Sequence, residues 1–226
     1  MTTTYYGHSC FGLSVNEKHI LFDPFISPNK LASNIDINKI PADYILISHG
    51  HEDHVADVQS IAENTGATIV SNFEITTWFG SKGFENSHPM NHGGEWSFDF
   101  GTVKYVNAVH SSILPDGTYG GNPGGFIIRT NDKTIYYAGD TALTYDMKLI
   151  GEYENIDIAF LPIGNNFTMG IKDASIAASY INCKNIIGMH YDTFGYIKIN
   201  KEDAIMHFSD ANQELTFMEI GESKPL

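Results

Sequence analysis

Apolar positions recur along the chain in two rhythms. Tyr5-Tyr6, Phe11 to Val15 and His19-Ile20-Leu21-Phe22-Asp23 predict an opening set of strands broken by turn residues. Asp43-Tyr44-Ile45-Leu46-Ile47 and Asp157 to Ile163 are apolar almost throughout and predict buried strands. After the first of these runs, Val55, Val58, Ile61 and Ala62 recur at helical spacing, and Thr65-Gly66 ends that helix. Ala67 to Ser71 predicts a short strand and Glu74 to Phe79 a helix. Residues 84–94 predict a loop, and Glu95 to Val109 two strands around Phe100-Gly101. Leu114 to Gly125 is dense in Gly and Pro and predicts a long irregular loop, a kind that is often functional. Phe126 to Arg129 and Thr134 to Ala138 flank Asn131-Asp132, a hairpin signal. Helices are predicted over Leu143 to Ile150, from an Asp173 N-cap to Tyr180, and over Lys201 to Phe208. Strands are predicted at Ile186 to Met189 and Leu215 to Ile220. Antiparallel strands followed by strand–helix alternation, twice over, imply two sheets with helices outside: one α/β layered domain over residues 1–226.

Composition narrows the function classes. Hydrophobic residues make up 42% of the 226, so the chain can bury a core. The formal charge is -14, and Arg129 is the one arginine. Such a surface repels nucleic acid and anionic membranes. No basic n-region, apolar h-region or long apolar span occurs, so a cytoplasmic protein without a membrane segment is expected. Cys10 and Cys183 lack metal-type spacing and are expected as buried free thiols.

The chemistry concentrates in Ser48-His49-Gly50-His51-Glu52-Asp53-His54, on the turn between the buried strand and the helix. In extended backbone, residues two apart point the same way, so His49 and His51 can meet one point. Asp53 and His54, entering a helix, aim at a second point nearby. One turn thus offers two ligands to each of two metal ions, and imidazole with carboxylate suits zinc, iron or manganese. Further ligands are expected just after strands. His110, Asp140 and His190 each stand where an apolar run stops.

His49-x-His51-x-Asp53-His54, then His110, Asp140 and His190, resemble in order and spacing the motif set of the metallo-β-lactamase superfamily. Gly7-His8-Ser9-Cys10-Phe11, Leu21-Phe22-Asp23-Pro24-Phe25, Ala138-Gly139-Asp140-Thr141 and Asn166-Phe167-Thr168-Met169-Gly170 with Asp173-Ala174 narrow the likeness. They resemble the small metal-dependent hydrolases that include L-ascorbate-6-phosphate lactonase-like proteins. The resemblance implies a four-layer αβ/βα sandwich with the site at one edge. It implies that His49, His51 and His110 hold one divalent metal, that Asp53, His54 and His190 hold the second, and that Asp140 bridges them. Asn165-Asn166, where glycines are expected, and His92 depart from the pattern.

Two metals (zinc or manganese, with iron as an alternative) would ionise a water, and the hydroxide would attack a small-molecule lactone, ester or phosphodiester. Asp53 would also orient the nucleophile. His8 would donate a proton to the leaving group or hold substrate, if the N-terminal hairpin packs beside the site. Asp23 would support a ligand histidine from behind. Phe167, Thr168, Met169 and Tyr119 are candidate pocket walls. Ser48, Ser111 and Ser112 lack a Gly-x-Ser-x-Gly elbow and are expected to be structural. The competing reading is an iron-dependent oxidoreductase on the same scaffold. The expected partner is a small-molecule substrate, with no nucleic acid or membrane, and a homo-oligomer remains an open alternative.

Overall fold

Alternation along β3 (Lys18–Phe22) marks the boundary between two layers in the computed structural model, which describes residues 1–226. Ile20 and Phe22 join the larger apolar core, while Leu21 joins the smaller one. The next two strands split the same way. Leu46 of β4 (Tyr44–Leu46) and Val70 of β5 (Thr68–Asn72) face the larger core, and Ile45 and Ile69 face the smaller. A sheet buried on both faces explains why these runs are apolar nearly throughout.

The first sheet also contains β1 (Thr2–Gly7), β2 (Cys10–Val15) and β6 (Ser87–Met90), with β14 (Ser223–Pro225) at its far edge. Its outer face is covered by α1 (Glu52–Val55), α2 (Val58–Thr65) and α3 (Phe73–Ser81), whose apolar sides fill the smaller core. The second sheet runs in the order β13 (Glu214–Thr216), β12 (Asn185–Met189), β11 (Ile158–Pro162), β10 (Thr134–Tyr137), β9 (Gly124–Arg129), β8 (Gly101–Asn107), β7 (Glu95–Phe98). Around it lie α4 (Asp146–Tyr153), α5 (Ile171–Tyr180) and α6 (Lys201–Asp210). Helix, sheet, sheet, helix is the four-layer αβ/βα arrangement. Aromatic contacts join the sheets: Phe22 stacks on Tyr137 with centroids 4.6 Å apart, and Phe11 meets Phe160 edge-on at 4.8 Å.

Strand direction decides where the site is. β1, β3 and β4 run parallel in the first sheet, and β8, β10 and β12 do so in the second. The residues that follow these six strands include His8, Asp23, His49, His110, Asp140 and His190, gathered at carboxyl ends as layered α/β chains require.

Some elements differ from those the sequence predicts. The helix after the His-rich turn is two pieces, with Asp57 between them accepting from the backbone N–H groups of Ile26 and Ser27. Residues 84–94 are not all loop, since β6 lies within them, carrying Pro89 at a sheet edge where a missing donor is tolerated. The fifth helix starts at Ile171 with Gly170 at its cap, so Asp173 sits in the first turn, not at the N-cap. The last strand is shorter than Leu215 to Ile220, and β14 follows it on the other sheet. No helix is long and apolar enough to cross a membrane, and Cys10 and Cys183 are buried free thiols.

Candidate metal centre

Asp23, immediately after β3, is wholly buried and takes four hydrogen bonds. Ser48 donates to it from its backbone N–H at 2.7 Å and its hydroxyl at 2.6 Å. His54 Nδ1 and the Tyr137 hydroxyl each donate at 2.8 Å. A carboxylate only accepts, so His54 carries a proton on Nδ1, which leaves Nε2 as the atom that would bind a metal. With its own proton spent on Asp23, Ser48 Oγ accepts from His49 Nδ1 at 3.0 Å, and His49 Nε2 is a lone pair. His51 Nε2 faces Ser111 Oγ at 3.2 Å, which turns its Nδ1 toward His49 Nε2, 3.0 Å away.

These donors fall into two groups. His49, His51 and His110 have ligand atoms within 4.8 Å of one another, and so do His8, Asp53, His54 and His190. Asp140 lies between the groups. Its Oδ2 is 2.9 Å from His190 Nε2, 3.3 Å from His54 Nε2 and 3.6 Å from His110 Nε2. Gly139, at φ 62°, makes that placement feasible, because a Cβ there would meet Ser48 Cβ at 2.7 Å.

Burial and neighbouring charges act in opposite directions on these groups. Burial alone would raise the Asp53 carboxyl, but His54, His190 and His8 outweigh it and hold it well below the usual range. Asp140 behaves alike: burial opposes its charge, yet His190 and His54 hold the carboxyl far down. Burial would lower His190, and Asp140 overrides it, raising the imidazole to about 9. At His49 burial and the neighbouring His54 outweigh the opposing pull of Asp140, and the imidazole is pushed well down. Buried His54 Nε2 and Asp140 Oδ1 make no hydrogen bond. Two imidazole nitrogens facing at 3.0 Å, a buried carboxylate aimed at three more, and orphaned polar atoms between them fit bound divalent metal.

All seven proposed ligands therefore converge. His8 arrives from the β1–β2 hairpin in a left-handed conformation, φ 57°, and its carbonyl accepts from the His190 N–H at 3.0 Å. Its side chain is fully buried behind Asp53 and does not line the cleft. Since Asp53 Oδ2 only accepts, His8 donates to it from Nε2 at 3.1 Å and accepts from Thr193 Oγ1 at Nδ1, 2.9 Å away. Burial, with His190 adding to it, lowers His8 to about 4, so the ring is neutral near pH 7. The structure thus places His8 against Asp53 and Thr193.

The cleft above the centre has a volume of about 1000 Å³. Phe167 lines it, but Thr168, Met169 and Tyr119 do not. Met169 is in the core and Tyr119 bonds to Asn122. Thr193, Phe194 and Tyr196, on the segment after His190, line the cleft without having been singled out in the sequence. Asn165 and Asn166 have φ of 64° and 59°, so asparagine fills left-handed positions where glycine is usual. His92 stacks on Tyr105 and reaches the Pro123 carbonyl at 2.8 Å, bracing the long loop from outside.

Comparison with known proteins agrees with this geometry. Residues 2–190 match the model of the beta-lactamase superfamily domain. A UPF0173 metal-dependent hydrolase of Flavobacterium johnsoniae is 60% identical over 99% of both chains. The UPF0173 metal-dependent hydrolase YtkL of Bacillus subtilis is 46% identical over 89% of this chain and 90% of its own. The structure of Igni18, a metallo hydrolase from Ignicoccus hospitalis, superposes with a TM-score of 0.89 at 34% identity, covering 99% and 97% of the two chains. The chain belongs to the beta-lactamase superfamily, among the UPF0173 metal-dependent hydrolases.

Proposed function

We propose that the protein is a dinuclear metallohydrolase that opens small-molecule lactones or esters, with phosphodiesters as the second class. The observation that carries this reading is Asp140 Oδ2, which approaches His54, His110 and His190 together and so lies between two donor groups. His49, His51 and His110 would hold one ion, Asp53, His54 and His190 the other, and Asp140 both. When bound, such a pair supplies Lewis acidity and a water ionised near neutral pH.

The chain's own residues do the rest. Asp53 lines the cleft and accepts a hydrogen bond from the attacking water, which fixes the water's lone pair toward the carbonyl carbon. His8 holds Asp53 in that pose, and Thr193 holds His8. Asp23 and Ser48 keep the ligand imidazoles in the tautomer that presents a lone pair. Arg129 is spent on Glu95 and Glu154, and Lys30 is the one cation lining the cleft. That favours a neutral lactone or ester over a phosphodiester, which would draw on more cations.

The test is turnover of γ-butyrolactone, phenyl acetate and bis(p-nitrophenyl) phosphate by protein loaded with zinc or manganese. The expected result is hydrolysis of the lactone or ester that stops on chelation and returns with metal. Fully loaded protein that hydrolyses none of the three would overturn the reading.

A further inference from the structure

One wall of the cleft is aromatic. Phe25 follows Asp23 by two residues, Phe194 and Tyr196 follow His190 on one segment, and Phe167 comes from the loop that leads into α5. Phe25 and Phe194 lie 6.1 Å apart and both meet the His8 ring edge-on, at 5.5 and 5.3 Å. Farther out, Phe167 and Tyr196 form a T-shaped pair 6.3 Å apart, although they are 50% and 80% exposed. Neither of these two contributes to the core, and exposed apolar area of this kind beside a metal centre marks a ligand surface.

The segment that carries Phe194 and Tyr196 is closed on itself. Asp192 N–H donates to the Ile197 carbonyl at 2.8 Å, Ile199 N–H donates to Asp192 Oδ1 at 3.1 Å, and Ile197 is fully buried. The backbone that carries the rings is therefore tied down before any ligand arrives, which limits the entropy lost on binding. The cleft of about 1000 Å³ is at the upper end of what small-molecule sites need and far exceeds a bare lactone ring. Apart from the proposed ligands, its two charged residues, Lys30 and Glu52, are opposite in sign. The wall thus selects by apolar contact rather than by charge.

We propose that the preferred substrate is an ester bearing an aryl group, with the ring lying along Phe25, Phe194, Phe167 and Tyr196 and the carbonyl at the metal centre. This rests on the hydrolase reading and adds the substrate class to it. In the reaction, a water oxygen bonds to the carbonyl carbon as the acyl carbon–oxygen bond breaks. One water proton goes to the departing alkoxide, and the carboxylic acid product releases the other to solvent.

The test compares 2-phenylethyl acetate with ethyl acetate, which share the acyl group and differ by the ring. Wild type and the Phe167→Ala/Tyr196→Ala double variant are loaded with manganese or zinc for kinetics. Binding of 2-phenylethanol is followed by saturation-transfer NMR, which needs no turnover. The expected kcat/KM ratio is about tenfold or more in favour of the aryl ester in wild type, collapsing to within about threefold in the double variant. Saturation of the ring protons is expected to weaken in parallel. Because both side chains are exposed, the double variant keeps its fold, and its melting temperature checks this. Equal kcat/KM for the two esters in wild type, or an unchanged ratio in the double variant, overturns the inference. Ring binding that depends on Phe167 and Tyr196 without hydrolysis of either ester sinks the hydrolase reading but leaves an aryl site. Hydrolysis without ring binding does the reverse.

Discussion

His54 donates its Nδ1 proton to Asp23 at 2.8 Å, and its other nitrogen, Nε2, stands 3.3 Å from Asp140. One buried carboxylate thus sets the tautomer of a ligand whose working atom faces a second carboxylate. Asp23→Asn keeps the shape but can offer its amide protons to His54 instead of accepting. Metal affinity, followed by calorimetric titration, is expected to fall about 10–100-fold. Unchanged affinity would mean that Asp23 is only a packing group.

Tyr137 ties the two sheets through the same carboxylate. Its hydroxyl carries one proton, shared between Asp23 Oδ2 and the Ser9 carbonyl, each 2.8 Å away. Tyr137→Phe removes only that oxygen. Urea unfolding is expected to show a loss of about 1–3 kcal/mol, since a buried charged acceptor loses a donor.

The fold was legible where the pattern was apolar and uninterrupted. Ile45 to Ile47 and Ile158 to Leu161 announce strands buried on both faces because nothing polar breaks them. Edge strands were not legible: Ser87–Met90 and Ser223–Pro225 are polar, carry proline, and are strands only because a neighbour's backbone pairs with them. The seven candidate ligands, which the fold brings together, could be read from spacing and from their place after strands. The partners of His8 could not. Asp53 and Thr193 are 45 and 185 residues away, and a left-handed backbone at His8 aims the ring, which no local pattern records. A signal for Thr193 to Tyr196 did exist in the aromatics crowded just after His190.

His8→Ala leaves Asp53 without its 3.1 Å donor while leaving the other ligands in place. Turnover of the best ester is expected to fall about 10²-fold, a size typical of a misplaced reactive group, with kcat bearing the loss rather than KM. His8→Asn, which can still donate a hydrogen bond, is expected to recover part of it. A loss confined to KM would place His8 in substrate binding.

Arg129 supplies a pH test away from the site. Its guanidinium hydrogen-bonds Glu154 and holds that carboxyl below the usual range. A folded value below the unfolded one gives stability that is present above about pH 4.3 and lost as pH falls through the folded value. Arg129→Gln is therefore expected to cost up to about 1 kcal/mol at pH 7, with the gap to wild type closing below about pH 4. A gap that does not change with pH would assign the cost to packing.

In the proposed centre one divalent ion is held by the His49 group and a second by the His54 group, with Asp140 shared. Elemental analysis of metal-reconstituted, dialysed protein tests it most directly, with wild type and Asp140→Ala measured side by side. About two ions per wild-type chain are expected, with a clear loss in the variant, because both sites give up a ligand. One ion or fewer per wild-type chain, or a variant that retains both, would contradict it.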